Sequence, residues 1–172
     1  MIETERLRLV PLDEESMEAL LLSGEVPFAV PSDWPDEHDA RFLAIRLKQL
    51  RESPERRAWP VCAIVHDGAM IGHIGYHGPP GVNARRARDA VELGYTVFPE
   101  HRRRGYATEA VRGLIEHARA QGVHRVIASV GPKNEPSLAL VRRLGFVEVG
   151  RHWDDEDGEE LEFELDLSAA AP

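Results

Sequence analysis

Three arginines, Arg102, Arg103 and Arg104, stand directly before Gly105-Tyr106-Ala107, where an extended stretch gives way to a helical one. The unpaired N–H groups of a helix start and the positive end of its dipole converge on such a turn. Small residues at Gly105 and Ala107 let a phosphate approach the backbone, and the guanidinium groups supply charge beside it. Arginine runs are ordinarily solvated charge; this one, set at a glycine turn, points to anion binding. Upstream, Glu92 is a carboxylate within an apolar strand, on the face shared with Gly94 and Thr96. Burial would raise its pKa towards that of a useful base; the alternatives are an exposed edge position or an ion pair with an arginine. Gly94 inside a strand marks a bulge or a close backbone approach. His73 and His77, four apart on a strand, sit roughly 13 Å apart at ~3.3 Å per residue and cannot share a metal. The remaining histidines show no ligand spacing, so no metal site is expected. The single Cys62 excludes an internal disulfide and a cysteine metal cluster, and reads as a small core residue.

The turn is positioned by the stretch Val91–Ala120. Val91–Phe98 is rich in β-branched and aromatic residues and ends at Pro99, which has no N–H to give. After a basic loop, Glu100–Arg104, a helix carries Ala107, Ala110, Val111, Leu114, Ile115 and Ala118 as one apolar stripe.

Earlier in the chain, Leu7–Val10 alternates as a strand stopped at Pro11. Asp13 caps a helix to about Leu22, with Leu12 and Met17 as a staple and Gly24 at its end. Val26–Pro35 is irregular and holds Phe28 and Trp34. A helix over Asp36–Arg51 turns Phe42, Leu43, Leu47 and Leu50 inward. Strands Ala58–His66 and Met70–His77 are joined by the hairpin signal Asp67-Gly68, and Gly78–Asp89 is a loop. Later come a strand, Val123–Val130, and a helix, Asn134–Leu144, with Pro136 near its start and Gly145 at its end. Strands Phe146–His152 and Leu161–Leu167, joined by the acidic turn Asp154–Gly158, close the chain, and Ser168–Pro172 is a frayed tail. The order β-α-α-β-β-β-α-β-α-β-β predicts an α/β (α+β) sandwich, three layers around one mostly antiparallel central sheet.

At 172 residues the chain is expected to be one domain over 1–167. Its 42% apolar and 30% charged residues are ordinary for a soluble globular protein. A net charge of −9 argues against bulk attraction to nucleic acid and is compatible with a cationic acceptor. No charged-then-apolar leader precedes Thr4 and no apolar run reaches membrane-spanning length, so a cytoplasmic protein without membrane partners is expected.

Taken in order, the motifs resemble those of the GNAT superfamily of acyl-CoA N-acetyltransferases. Within it, the chain is similar to the branch that includes ribosomal-protein N-terminal-alanine acetyltransferases. The pyrophosphate motif Arg/Gln-x-x-Gly-x-Gly/Ala is met by Arg102-Arg103-Arg104-Gly105-Tyr106-Ala107. The second motif, Asn-x-x-Ser then Lys/Arg-x-Gly-Phe, is met by Asn134-Glu135-Pro136-Ser137 and Arg143-Leu144-Gly145-Phe146. Thr4-Glu5-Arg6-Leu7-Arg8-Leu9 and Glu92-Leu93-Gly94-Tyr95 match that branch too. Each motif alone is weak; the ordered set covers nearly the whole chain.

The resemblance implies an acetyl-CoA-dependent transfer to a primary amine by direct attack in a ternary complex. It implies that the backbone of Arg103–Thr108, including Tyr106, Ala107 and Thr108, cradles the pyrophosphate with arginine side chains near the phosphates. It places the pantetheine arm along Tyr95, Thr96 and Val97, with an N–H near Val97 facing the thioester oxygen, where this strand splays from the next. Asn134 would bond the arm, cap its helix, or do both. Glu92 would serve as base, directly or through water.

Many members carry a tyrosine four residues before the Gly-Phe pair. This chain has Val141 there, so Ser137, one turn earlier, is the nearest hydroxyl for the leaving thiolate, with Tyr106 and Tyr95 as lesser candidates. Trp34 and His77 fall where the family meets its acceptor; the bland alternatives are loop packing and a surface histidine. The acceptor stays open between a peptide N-terminus and a small amine such as a polyamine, an amino acid or an aminoglycoside. Oligomeric state stays open too, a homodimer included. A second class of function, a non-catalytic acyl-CoA-binding or sensing module, is kept alive by the missing tyrosine and opposed by the Glu92 and Ser137 pair. A dinucleotide-binding reading fails for want of Gly-x-Gly-x-x-Gly after an early strand.

Overall fold

Strand, cap and turn signals in this chain act locally, and most take effect where they fall. A computed structural model describes residues 1–155 and 158–168. The chain divides into two units, Met1–Gly75 with Tyr95–Ala110, and Tyr76–Gly94 with Val111–Pro172.

In the first unit, β1 (Ile2–Glu3), β2 (Arg8–Pro11), β3 (Val61–His66) and β4 (Ala69–Tyr76, bar its last residue) pair in that order, all antiparallel. Leu9, opposite Ile64, is fully buried, while Arg8 before it is exposed. The hairpin residues Asp67 and Gly68 both take positive φ, 49° and 80°, the twist that matches two antiparallel strands. Helix α1 (Glu14–Leu21) begins where the Asp13 carboxylate accepts from the Ser16 amide at 2.8 Å. Helix α2 (Glu37–Glu52) begins in the same way, with Asp36 accepting from Asp39 at 2.8 Å. Leu12, Met17, Leu20, Leu43, Leu47, Val61, Val65 and Met70 make a buried apolar cluster with Phe28, Trp34 and Phe98. Burying each large aliphatic chain stabilises the fold by about 1.5–3 kcal/mol. Cys62 sits in β3 with no exposed surface, and burial pushes its thiol up to about 12.

In the second unit, the start of β5 (Ala90–Val97) runs parallel to β6 (Arg125–Val130). Strand β6 pairs antiparallel with β8 (Gly158–Asp166), which pairs with β7 (Val147–Asp154). The pairings β1–β2, β2–β3, β3–β4, β6–β8 and β7–β8 are antiparallel, and an isolated bridge from Ala29 to Ala69 is parallel. Helix α4 (Glu135–Arg143) lies between β6 and β7 in the chain. Helix α3 (Tyr106–Ala120) crosses from the first unit into the second after Ala110. Its expected stripe is buried at Ala110, Val111, Leu114, Ile115 and Ala118, and half-buried at Ala107.

The structure departs from the sequence reading at several edges. β1 was not foreseen, being two residues long and without a readable period. The strand expected from Ala58 starts at Val61, because Pro54–Ala58 winds into a 3-10 turn and Pro60 has no N–H for a ladder. Pro11 belongs to β2, opposite Cys62, and does not stop the strand before itself. Ser23, with φ 55°, takes the left-handed position after α1, and the Gly24 amide then reaches the Ala19 carbonyl at 2.6 Å. β8 begins at Gly158 and not at Leu161: its polar Glu159 and Glu160 pair with Trp153 and His152 of β7. Residues 156–157 of the acidic turn and 169–172 of the expected frayed tail lie outside the described residues.

Candidate functional site

Between the end of β5 and the start of α3 the backbone turns twice through left-handed geometry, at Arg103 (φ 60°) and Gly105 (φ 82°). Successive amides in such a segment, followed by a helix N-terminus, form an anion-binding concavity. A Cβ on Gly105 would stand 3.4 Å from Arg6 Nη2, in a conformation that disfavours any side chain. Arg102, Arg103, Arg104 and Gly105 are exposed, and Ala107 and Thr108 are half-buried on the first turn of α3. The Arg102 side chain folds back, its Nε donating to the Val97 carbonyl at 2.9 Å. Tyr106 is buried under the Arg6 guanidinium, 4.8 Å from the ring, with its hydroxyl 3.2 Å from His66 Nε2.

The turn rests on the N-terminal segment. Arg6 Nη1 donates to the Arg104 carbonyl at 3.1 Å. The Glu109 carboxylate accepts from Thr4 Oγ1 at 2.6 Å, from the Arg6 amide at 2.7 Å and from Arg6 Nε at 2.8 Å. Burial pushes the Glu109 carboxyl up, but the hydrogen bonds from Thr4 and Arg6 outweigh it and hold it below the ordinary value of 4.5. The segment Thr4–Leu9 matched the resembled branch without an assigned role; its task here is to fasten the first turn of α3.

Hydrogen bonding sorts the β5 backbone by face. The Phe98 amide donates to the Ile71 carbonyl at 2.9 Å, and the Thr96 carbonyl lies against Gly72, where a Cβ would stand only 2.1 Å from it. Since peptide groups in a strand alternate in direction, the backbone groups of Tyr95 and Val97 face away from β4 while those of Thr96 face it. Among the described residues, the parallel register of β5 with β6 ends at Glu92↔Ile127.

In the second unit Glu92 is 3% exposed, and its carboxylate collects donors from two other segments. Ser129 Oγ donates to Oε1 at 2.6 Å, and the Ala84 amide donates to Oε2 at 2.7 Å. His77 Nδ1 lies 3.7 Å from Oε2, and the His77 amide donates to the Glu92 carbonyl at 2.8 Å. The loop presenting Ala84 is itself tied by Asn83, whose side chain bonds Ala87 and Ala90. Neither Ser129 nor Ala84 was marked in the sequence, since only the fold brings them to Glu92.

At the start of α4, Asn134 Oδ1 accepts from the Ser137 amide at 3.3 Å, so the capping role is realised. Asn134 is exposed, Ser137 half-buried, and Val141 one turn on is buried in the helix interior.

Trp34 packs with Phe98 (ring centroids 6.1 Å apart) and His73 (6.3 Å), and with Thr96 it lines a cavity of about 240 Å³. Asp33, Asp36, Asp39 and Glu100 line the same cavity. Asp39 is held below the usual carboxylate range chiefly by its hydrogen bond with His73, 3.4 Å away. Among the described residues no group of three or more metal-ligating side chains converges, and no helix is long and apolar enough to cross a membrane.

Residues 6–147 match the family model described as "Acetyltransferase (GNAT) domain". The uncharacterized N-acetyltransferase YnaD of Bacillus subtilis is 27% identical over 100 residues, 52% of this chain. The alignment spans 55% of YnaD, about half of that relative's own length. Among solved structures, ribosomal-protein-S5-alanine acetyltransferase of Vibrio fischeri superposes with a TM-score of 0.67 at 18% identity, covering 99% of this chain and 98% of that one. YncA of Salmonella typhimurium, solved with its cofactor acetyl-CoA, superposes with a TM-score of 0.65 at 20% identity, covering 98% of each chain.

Proposed function

The chain belongs to the GNAT acetyltransferase domain family, and we propose that it is an acetyl-CoA-dependent acyltransferase that acetylates a primary amine by direct attack in a ternary complex. The observation that carries this reading is the double left-handed turn at Arg103 and Gly105 leading into α3.

Such a transfer has three needs: to hold the acyl donor, to obtain a neutral amine, and to stabilise the oxyanion and thiolate as they form. Holding falls to the amides of Arg103–Thr108, directed at the pyrophosphate, with the arginines of the turn adding charge. Arg102 contributes by fixing the loop to Val97. The outward backbone groups of Tyr95 and Val97 suit a pantetheine arm lying alongside as an added strand, and the Val97 N–H is the donor for the thioester oxygen. Asn134 keeps its Nδ2 for the arm while Oδ1 caps α4. Ser137 donates to the thiolate as the C–S bond breaks. Glu92 is the carboxylate of the proton-transfer step.

On the acceptor side, Trp34 and Thr96 wall a cavity with four carboxylates. With a net charge of −9, this favours an acceptor that arrives as a cation, a peptide N-terminus or a small amine. His77 belongs to the proton-transfer group with Glu92. A thiol-release assay with acetyl-CoA against a panel of amines and N-terminal peptides tests the reading. Release that depends on the amine supports it; CoA binding without release favours the sensing module.

A further inference from the structure

Glu92 and His77 divide one job differently from the way their chemistry alone suggests. The side chain of Glu92 is 4% exposed, whereas that of His77 is 52% exposed. A general base has to touch the proton it removes, directly or through one water. Both carboxylate oxygens of Glu92 are already acceptors, Oε1 from Ser129 and Oε2 from the Ala84 amide. An amide can only donate, and an ionised carboxylate offers about four lone-pair sites, so Oε2 retains a direction for a second donor. His77 Nδ1 stands on that side at 3.7 Å, an ion-pair distance longer than a hydrogen bond.

The opposite ring nitrogen is placed by a glycine. His77 Nε2 lies 3.2 Å from the point where a Cβ on Gly94 would stand. The imidazole therefore fills the space a side chain on β5 would need, with Nε2 at the residue before Tyr95. The neighbour at Gly94 is this side chain and not the bulge or close backbone approach expected from the sequence.

We propose that His77 Nε2 accepts the proton of the attacking amine and that Glu92 is the positioning residue that holds Nδ1 protonated. The proposal rests on the acetyl-transfer reading. The arriving ammonium first gives one proton to Nε2, which passes it to solvent; the neutral amine nitrogen then forms its bond to the thioester carbonyl carbon, and the carbonyl electrons move to oxygen. The ammonium nitrogen gives its proton to Nε2. The intermediate then collapses, the C–S bond breaks, and the sulfur leaves with the electron pair; the proton on His77 passes to that thiolate or to solvent. In the neutral imidazole one ring nitrogen carries the proton and the other accepts, so a proton held on Nδ1 leaves Nε2 able to receive another. The imidazolium formed faces the Glu92 carboxylate across Nδ1. Of the other charged groups on the packed elements, Arg86 and Arg88 of the 78–89 loop are exposed, and three others meet carboxylates. Arg85 of the 78–89 loop meets Glu162 of β8 at 2.6 Å, His152 of β7 meets Glu160 and Glu162, and Arg125 of β6 meets Asp89 and Glu164.

The test compares His77→Gln, Glu92→Gln and Glu92→Asp in kcat/KM across pH, beside calorimetric CoA affinity. His77→Gln is expected to lower kcat/KM at pH 7 about 100-fold and to erase the acid limb of the profile, with CoA affinity within about twofold. Glu92→Gln is expected to lower the rate about tenfold and to move that limb to lower pH, because the imidazolium loses its counter-charge; Glu92→Asp is expected to restore part of both. Long-range proton–nitrogen spectra of the imidazoles give a readout without turnover: Nδ1-protonated His77 in the wild type, a mixture in Glu92→Gln. Wild-type turnover with an unchanged His77→Gln profile overturns this assignment alone. Loss of the acid limb in Glu92→Gln, with the limb intact in His77→Gln, returns the base to Glu92. Wild-type protein that binds CoA but releases no thiol with any amine overturns the acetyl-transfer reading beneath it.

Discussion

The carboxylate of Glu109, on the first turn of α3, accepts from both the backbone amide and the guanidinium of Arg6, at 2.7 and 2.8 Å. A negative charge at a helix start would compete with a bound phosphate were it not matched, and Arg6 matches it. Glu109→Gln is expected to cost about 1 kcal/mol, discounted because the Arg6 side chain is 42% exposed, or roughly 2–4 °C in Tm. The carboxyl sits below its ordinary value of 4.5 in the folded protein. Its stabilisation is therefore complete above that pH and disappears as pH falls through the lowered value. Thermal melts from pH 3 to 7 check this: the wild type should lose Tm in acid more steeply than Glu109→Gln.

Gly105→Glu is expected to weaken CoA binding more than tenfold while Tm falls by only a few degrees. The φ of 82° strains any side chain, and a carboxylate there opposes a phosphate. Calorimetric titration with CoA, beside a melt, separates the two effects. Unchanged affinity in a folded variant would remove the turn from cofactor binding.

Asn134→Ala is expected to lose about 1 kcal/mol as a cap and to weaken acetyl-CoA affinity, whereas Asn134→Asp should keep the cap and lose only affinity. Ser137→Ala should lower kcat a few-fold with little change in KM, because its hydroxyl meets a charge present only as the thiolate leaves. A Ser137→Ala variant with normal kcat and raised KM contradicts the leaving-group role.

Tyr76 Oη donates to the Leu114 carbonyl at 2.6 Å and lies 3.0 Å from His117 Nδ1. Burial holds His117 below its ordinary value of 6.5. The unfolded chain then binds more protons near that pH, so this group's stabilisation is complete above about 6.5 and is lost as pH falls through the folded value. Urea titrations at several pH values should show stability rising from pH 5 to 7, with a shallower rise in His117→Gln.

The helix behind the glycine turn was legible because its spacing is local: Ala110, Val111, Leu114, Ile115 and Ala118 share a face by period alone, and all five are buried. The caps Asp13 and Asn134 were legible for the same reason, each reaching an amide three residues on; Asp36, read only as the start of its helix, caps in the same way. The surroundings of Glu92 were not. Ser129 lies 37 residues away and is one serine among several, and Ala84 contributes only a backbone amide, which carries no side-chain signal. The Arg6–Glu109 lock, 103 residues apart, was hidden in the same way. The early start of β8 was missed because Glu159 and Glu160 have little strand propensity and are held by pairing with β7.

Cys62, sealed in β3 with its thiol pushed up to about 12, makes the folded chain silent towards thiol reagents. The fast colour in an Ellman-type assay of the native protein therefore comes from CoA, and Cys62 adds to it only as slowly as β3 opens. The same residue turns the molecule into its own clock. A labelling reagent added to the native protein captures one thiol per chain only when β3 is bared, so the rate of modification at high reagent concentration measures how often that strand opens.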